Sequence, residues 1–217
     1  VTSNGSVKSD LGDSPLGLGA LTVGATVRDM AAAYATFAND GIWREARTYT
    51  KVYDSNGNLV LDNTQDSEQI LSQKTVNYMN YCLQSVVTSG TGREAAISGQ
   101  NVAGKTGTTS SNKDRWFCGY TKHYAAAVWC GYYNPEVIRI TSGENNPAAV
   151  LFRKVLKPVH SGLAKEALYS TSSFRGYGMC LDTGDAATSA CEKDLRYYLS
   201  GTGRTASANA YKGDGPS

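Results

Sequence analysis

An α+β fold, in which an antiparallel sheet is flanked by helices, follows from two features of this sequence. Three strand-like runs succeed one another between residues 102 and 133 with short polar turns between them, which makes neighbours antiparallel. Helical-period runs with recognisable caps lie on either side, opening after Thr26 and Ser72 before the strands and after Asn146 beyond them. With 217 residues and 41% hydrophobic content, the chain is long enough to build a core.

Residues 1–22 are rich in Gly and Ser, with Leu11, Leu16, Leu18 and Leu21 as the regular apolar positions, and read as an extended segment packed on something else. Thr26 is a good N-cap, with Asp29 in the first turn that follows. Val27, Met30, Ala31, Tyr34, Phe37 and Ala38 recur at helical spacing, and Asn39-Asp40-Gly41 ends the run. Its tyrosine and phenylalanine belong to the core. Lys51-Val52-Tyr53-Asp54 and Leu59-Val60-Leu61 flank Ser55-Asn56-Gly57-Asn58, where Asn-Gly supplies the positive φ angles of a tight hairpin.

Ser72 caps a second helix whose Val76, Met79, Leu83, Val86 and Val87 form one stripe, with Cys82 on the apolar face as a small core hydrophobe. Ser89-Gly90-Thr91-Gly92 terminates it. Val102-Ala103 lead into the strand Lys105-Thr106-Gly107-Thr108-Thr109, Ser110-Ser111-Asn112-Lys113-Asp114 form a polar turn, and strands follow over residues 116–121 and 124–133. A turn near Thr121-Lys122-His123 pairs Cys118 near Ala126, so that Cys118 and Cys130 do not bridge. Asn146-Pro147 open a last helix with Val150, Leu151, Val155 and Leu156 on its apolar side and Pro158 near its end. From Ser161 onward Ser, Thr, Gly and Ala dominate, which divides the chain into residues 1–160 and a tail, 161–217.

Lysine and arginine total 21 against 19 acidic residues, so the balance implies no nucleic-acid or polyanion partner. The five cysteines include no Cys-x-x-Cys pair, and His123 and His160 are the only imidazoles, so neither a metal site nor a cofactor is expected. Cys180 and Cys191 flank a loop whose spacing suits a small disulfide in an oxidising compartment, with free thiols as the alternative. No apolar run is long enough to span a bilayer, and the amino end lacks a basic-then-apolar leader. The chain opens on Val1 rather than Met, so it reads as a piece of something longer, with any anchor or export signal lying outside it.

Chemistry concentrates at Lys105-Thr106-Gly107-Thr108-Thr109. Such a strand presents an ammonium, hydroxyls and backbone N–H groups to an anionic, acyl-bearing substrate, and Gly107 allows a substrate backbone to come close. The competing reading is an edge strand with an incidental lysine. Aromatics between Tyr124 and Tyr133 read as packing rather than as a sugar platform.

Taken together, these segments resemble the penicillin-binding transpeptidases, and more narrowly the bifunctional class A members that also carry a glycosyltransferase. Leu16-Gly17-Leu18-Gly19 and the run from Val27-Arg28-Asp29-Met30 to Asn39-Asp40-Gly41 are similar to the stretch after the family's second motif. Gly104-Lys105-Thr106-Gly107-Thr108-Thr109 resembles its third motif. Trp116-Phe117-Cys118-Gly119-Tyr120 and Ala127-Val128-Trp129-Cys130-Gly131-Tyr132 resemble its last two strands, and the segment from Cys180 to Cys191 is similar to tails found after the domain.

The resemblance implies D,D-transpeptidation on peptidoglycan stem peptides, with β-lactams acylating the same serine. On it, Lys105 supports proton transfer and a positive field, Thr106 and Thr108 hold the substrate carboxylate, Gly107 and Thr109 complete the binding strand, and the Thr108 backbone N–H forms half of an oxyanion hole. It also implies a β-lactamase/transpeptidase-like sheet of five strands, of which this chain holds the last three. The family's Ser-x-x-Lys and Ser-x-Asn motifs are absent upstream of Lys105. Matches at Ser110-Ser111-Asn112-Lys113 and Ser207-Ala208-Asn209 come after it and are rejected, because the nucleophile needs a helix amino terminus against the sheet.

The chain is therefore expected to be inactive alone, to need the amino-terminal half of the domain as partner, and to belong to a parent at the extracytoplasmic face of the membrane. Membrane contact would come only through that upstream part. Two other readings are a serine β-lactamase or D,D-carboxypeptidase relative, and a non-catalytic module in which an edge strand takes up an extended peptide.

Overall fold

The computed structural model describes residues 24–140 and 145–170, together with residues 12, 17, 19, 21 and 143 and four short strands near the termini. The chain divides into two compact units, Val1–Tyr169 and Ser170–Ser217. In the first unit β1 (Thr2–Ser3) pairs with β2 (Ser6–Val7). Leu11, Leu16 and Leu18 lie outside the described residues.

Helix α1 (Val27–Ala38) begins where expected, with Thr26 Oγ1 accepting from the Asp29 N–H at 3.1 Å. The chain then makes strand β3 (Ile42–Arg44), an unforeseen element that pairs with β6 (Ser67–Gln69) across a long excursion. Between them β4 (Lys51–Tyr53) and β5 (Leu59–Asp62) form the expected exposed hairpin. Its turn differs from expectation, because of the pair only Gly57 has positive φ (84°). Asp54 takes the role given to Asn56: its Oδ1 accepts from the Asn56 and Asn58 N–H groups, both at 2.8 Å, which lowers the carboxyl pKa through the Asn58 side chain and these amides.

Helix α2 (Gln73–Thr88) starts at the Ser72 cap, but its buried face is rotated from the expected stripe. Val76, Asn80, Leu83 and Val87 are buried, whereas Met79 and Cys82 are exposed, so Cys82 is not a core hydrophobe. Asn80 causes the rotation by being a hub. Its Nδ2 donates to the carbonyls of Leu168 (2.7 Å) and Phe37 (3.2 Å), and the Tyr120 hydroxyl donates to its Oδ1. Three partners repay the burial of an amide that hydrophobicity alone would leave outside.

The central sheet has order β7-β8-β9, all antiparallel, from β7 (Ala103–Thr108), β8 (Asp114–Tyr120) and β9 (Ala125–Gly131). Cys118 faces Ala127 rather than Ala126, because the β8–β9 loop is only Lys122-His123, closed by Thr121 N–H to the Tyr124 carbonyl at 2.8 Å. Cys118 and Cys130 are free thiols. Thr121 Oγ1 also accepts from the His123 and Tyr124 N–H groups, so its own proton goes to His160 Nε2 at 2.7 Å, and His160 Nδ1–H donates to the Leu156 carbonyl at 2.7 Å.

Helix α3 (Pro147–Val159) opens on the Asn146 cap with Pro147 in its first turn. It buries Ala148, Ala149, Val150, Phe152 and Leu156, whereas Leu151 and Val155, expected on its apolar side, are exposed. The small alanines let the helix approach β8 and β9 closely, and Phe152 meets Phe117 edge-on at 4.8 Å. Helices α1 and α3 thus cover opposite faces of the sheet, and α2 wraps the β7 side, contributing Val87 to one face and Leu83 to the other.

Residues 163–168 run past the boundary expected at residue 160 and are tied to this unit. Gln100 Nε2 donates to the Leu163 carbonyl at 2.9 Å, Asn101 Nδ2 to that of Glu166 at 2.7 Å, and Leu168 is buried. In the second unit β10 (Gly176–Met179) pairs antiparallel with β11 (Arg196–Leu199). Cys180 and Cys191 lie outside the described residues. No helix among the described residues is long and apolar enough to cross a membrane.

Candidate active site

The Lys105 strand is extended, as expected, and its two ends are differently placed. Ala103 and Gly104 are buried beneath α2, whereas Lys105 and Thr108 are exposed. Residues 105–108 therefore present a strand edge to solvent.

Ladder geometry decides which groups face that edge. Thr109 N–H donates to the Asp114 carbonyl at 3.4 Å, and β7 pairs Thr108 with Arg115 and Thr106 with Phe117. Because hydrogen-bonded and non-hydrogen-bonded pairs alternate, Thr106 and Thr108 fall in the latter, with their N–H and C=O groups turned away from β8. Lys105 Nζ confirms the direction by donating to the outward Thr106 carbonyl at 2.9 Å. The Thr108 N–H thus points to the open edge, the orientation an oxyanion donor needs.

The side chains are less uniform than the motif implied. Lys105 folds along its own strand, with Nζ 3.4 Å from Thr106 Oγ1. Thr106 is half-buried and shares a proton with Thr91 at 2.8 Å between hydroxyl oxygens. Thr108 Oγ1 accepts from Arg115 Nη1 at 3.0 Å. Thr109 is spent on the turn, where its Oγ1 accepts from the Lys113 and Asp114 N–H groups at 3.2 and 3.1 Å. Gly107 offers no opening on its Cβ side, since a side chain there would meet Trp116 Cβ at 3.0 Å. Its glycine answers to packing on β8.

Cys118 sits opposite Lys105 in the ladder and is buried, and burial pushes its thiol up to about 11, which leaves it protonated and inert near neutral pH. Ser110-Ser111-Asn112-Lys113 occupy the β7–β8 turn, where Asn112 takes a left-handed φ of 54° and accepts from Arg115 Nη2 at 2.9 Å. Asp114 Oδ1 accepts from Trp129 Nε1 at 2.9 Å. A groove of about 530 Å³ lies away from this edge, between α1, residues 42–47 and the Lys122-His123 loop.

Two contributors were missed in the sequence. Arg115 was recoverable in principle, because a 109–114 turn places residue 115 opposite Thr108. Thr91 carried no local signal, and its contact with Thr106 exists only because α2 delivers the Gly90–Gly92 loop to the strand.

Three comparisons bear on this geometry. Residues 2–157 match the penicillin binding protein transpeptidase domain family. Penicillin-binding protein 1A of Clostridium perfringens is 35% identical over 174 residues, 80% of this chain and 21% of that protein. Among solved structures, the D,D-transpeptidase domain of a peptidoglycan glycosyltransferase from Eggerthella lenta aligns with TM-score 0.52 at 30% identity, covering 63% of this chain and 32% of that one. PonA1 from Mycobacterium tuberculosis, in complex with penicillin V, aligns with TM-score 0.60 at 26% identity over 71% of this chain and 43% of that one. The chain thus spans about a fifth of the length of the curated relatives it matches.

Proposed function

Because this chain belongs to the penicillin-binding protein transpeptidase family, we propose that it is the substrate-binding part of a serine D,D-transpeptidase whose nucleophile lies in an amino-terminal half outside this sequence. In that reaction a serine hydroxyl, deprotonated by a neighbouring base, attacks the carbonyl carbon of the penultimate D-alanine of a peptidoglycan stem peptide. The amide bond to the terminal D-alanine breaks, the leaving nitrogen takes the proton, and the acyl ester then passes to an amine on a second strand as the serine regains its hydrogen. A β-lactam acylates the same serine.

Lys105 supplies the positive field and assists proton transfer, the Thr106 and Thr108 hydroxyls take the carboxylate, and the Thr108 N–H stabilises the oxyanion. One observation carries this reading: residues 105–108 are extended, with Lys105 and Thr108 exposed and the Thr108 N–H at an unpaired edge. Thr109 and Gly107, by contrast, act through the turn and through packing. The parent enzyme also carries a glycosyltransferase and works at the extracytoplasmic face of the membrane. β9, an edge of the described sheet, takes up a strand from the missing half.

Fluorescent penicillin tests the proposal. The longer protein containing this sequence should label, this chain alone should stay dark, and Lys105→Ala in the longer protein should slow labelling about 100- to 1000-fold. Labelling of the isolated chain at Ser110 would instead place the nucleophile in the β7–β8 turn. A penicilloyl adduct that hydrolyses quickly would favour a β-lactamase relative.

A further inference from the structure

We infer that Arg115 is a positioning residue that turns the Thr108 hydroxyl toward the carboxylate of the acyl donor and so sets a preference for carboxylate-terminated donors. This rests on the donor-binding role proposed for residues 105–108 and goes beyond it, by naming a cation on the neighbouring strand that works through one of those hydroxyls.

Thr108 and Arg115 are directly opposed in a non-hydrogen-bonded pair, the arrangement that brings cross-strand side chains closest. Arg115 Nη1 donates to Thr108 Oγ1 at 3.0 Å. A threonine hydroxyl has one proton, and an arginine has no acceptor, so the Thr108 proton is left for a different partner. Thr108 is exposed, and that proton is available at the open edge of β7. Donation from a cation into the hydroxyl oxygen polarises its O–H and strengthens its next hydrogen bond, most of all to an anion.

The guanidinium is held in place and is not neutralised. Nη2 donates to Asn112 Oδ1 at 2.9 Å, and the left-handed φ of Asn112 is what puts that amide under the fork. Arg115 makes no ion pair among the described residues, since its neighbour Asp114 is turned to Trp129 Nε1. Its Nε is buried without an acceptor there. A half-buried, uncompensated charge with an unmet donor costs stability that Thr108 and Asn112 only partly return. Fixed donors, a permanent charge and an exposed relay hydroxyl are together suited to a carboxylate.

The test uses the longer protein that holds this chain and its nucleophile, with two synthetic acyl-D-alanyl esters whose leaving groups end in a free carboxylate or in a carboxamide. Arg115→Met should lower kcat/KM for the carboxylate ester about 10- to 100-fold, mostly through KM, and change the carboxamide ester less than about threefold. Equal losses on both esters would mean a merely structural role and overturn the inference. In a Thr108→Val background, Arg115→Met should add little, whereas an undiminished effect there would overturn action through Thr108. If Arg115→Met fails to fold, Arg115→Gln keeps an N–H donor without the charge. A fall in the carboxylate-to-carboxamide ratio then supports the inference, and an unchanged ratio ends it. Lys105→Ala separates the two levels: full activity in that variant defeats the donor-strand reading itself, while its loss beside an unaltered Arg115→Met ratio defeats only this inference.

Discussion

The two faces of the β7-β8-β9 sheet are held by different physics. On the α3 face Phe117 is packed among Val87, Ile97, Ala148, Ala149, Phe152 and Leu156, all apolar, with buried polar groups, among the described residues, confined to the two ends of α3 at Asn146 and His160. On the α1 face the buried Tyr120 packs against Tyr34 and Phe37, and its hydroxyl is bound by Asn80, which also ties down Phe37 and Leu168. The first face depends on volume, which several apolar residues could supply. The second depends on one amide joining three segments distant in sequence, and no apolar residue could replace it. The contrast teaches where this fold is tolerant and where it is specific.

That contrast can be broken by four measurements on the longer protein proposed above. Phe117→Ala should cost most, about 3–5 kcal/mol by urea midpoint, because the ring touches both α2 and α3 and leaves a large void. Asn80→Leu, which keeps the branching and the number of heavy atoms, should cost about 2–4 kcal/mol, since the Leu168 and Phe37 carbonyls and the Tyr120 hydroxyl lose their partner. If Asn80→Leu proves neutral, the two faces do not differ as described.

Alkaline pH should sharpen the difference by acting most strongly on the α1 face, since among the described residues of the α3 face burial raises only the half-buried Cys130 thiol. Burial raises the Cys118 thiol from 9.0 to about 11 and the Tyr34 hydroxyl from 10.0 to about 12. Above about pH 9 the unfolded chain releases these protons while the folded chain keeps them, so stability is constant below that point and falls as pH rises toward 11 to 12, by about 1–3 kcal/mol for each group. Cys118→Ala should remove most of the part that begins near pH 9, leaving the share of Cys130, seen in unfolding midpoints between pH 8 and 11. The smallest effect should be that of Thr26→Ala, about 1 kcal/mol, which frays the start of α1 through the lost cap and leaves the α3 face protected in hydrogen exchange.

Local interactions explain what could be read before the fold was seen. The caps at Thr26, Ser72 and Asn146, the succession of strands and the extended Lys105 segment all depend on residues a few positions apart, and each stands where the pattern put it. Errors came where a pattern admits a small rotation or slip: the α2 stripe that seemed to include Met79 and Cys82, the α3 stripe with Leu151 and Val155, and the one-residue offset that gave Cys118 to Ala126. Helical spacing alone cannot rank an asparagine with three distant partners above a methionine.

At the site, the sequence by itself determined that a lysine, two hydroxyls and a glycine would lie along one extended strand, since alternation and turn chemistry are local properties. Only the tertiary structure decided how they are used. Pairing with β8 turned the Thr108 N–H outward, set Arg115 beneath Thr108, gave the space at Gly107 to Trp116 and committed Thr109 to the turn. These outcomes depend on which groups a neighbouring strand brings opposite, and a hydrogen-bond partner many residues away leaves no periodic trace in the chain.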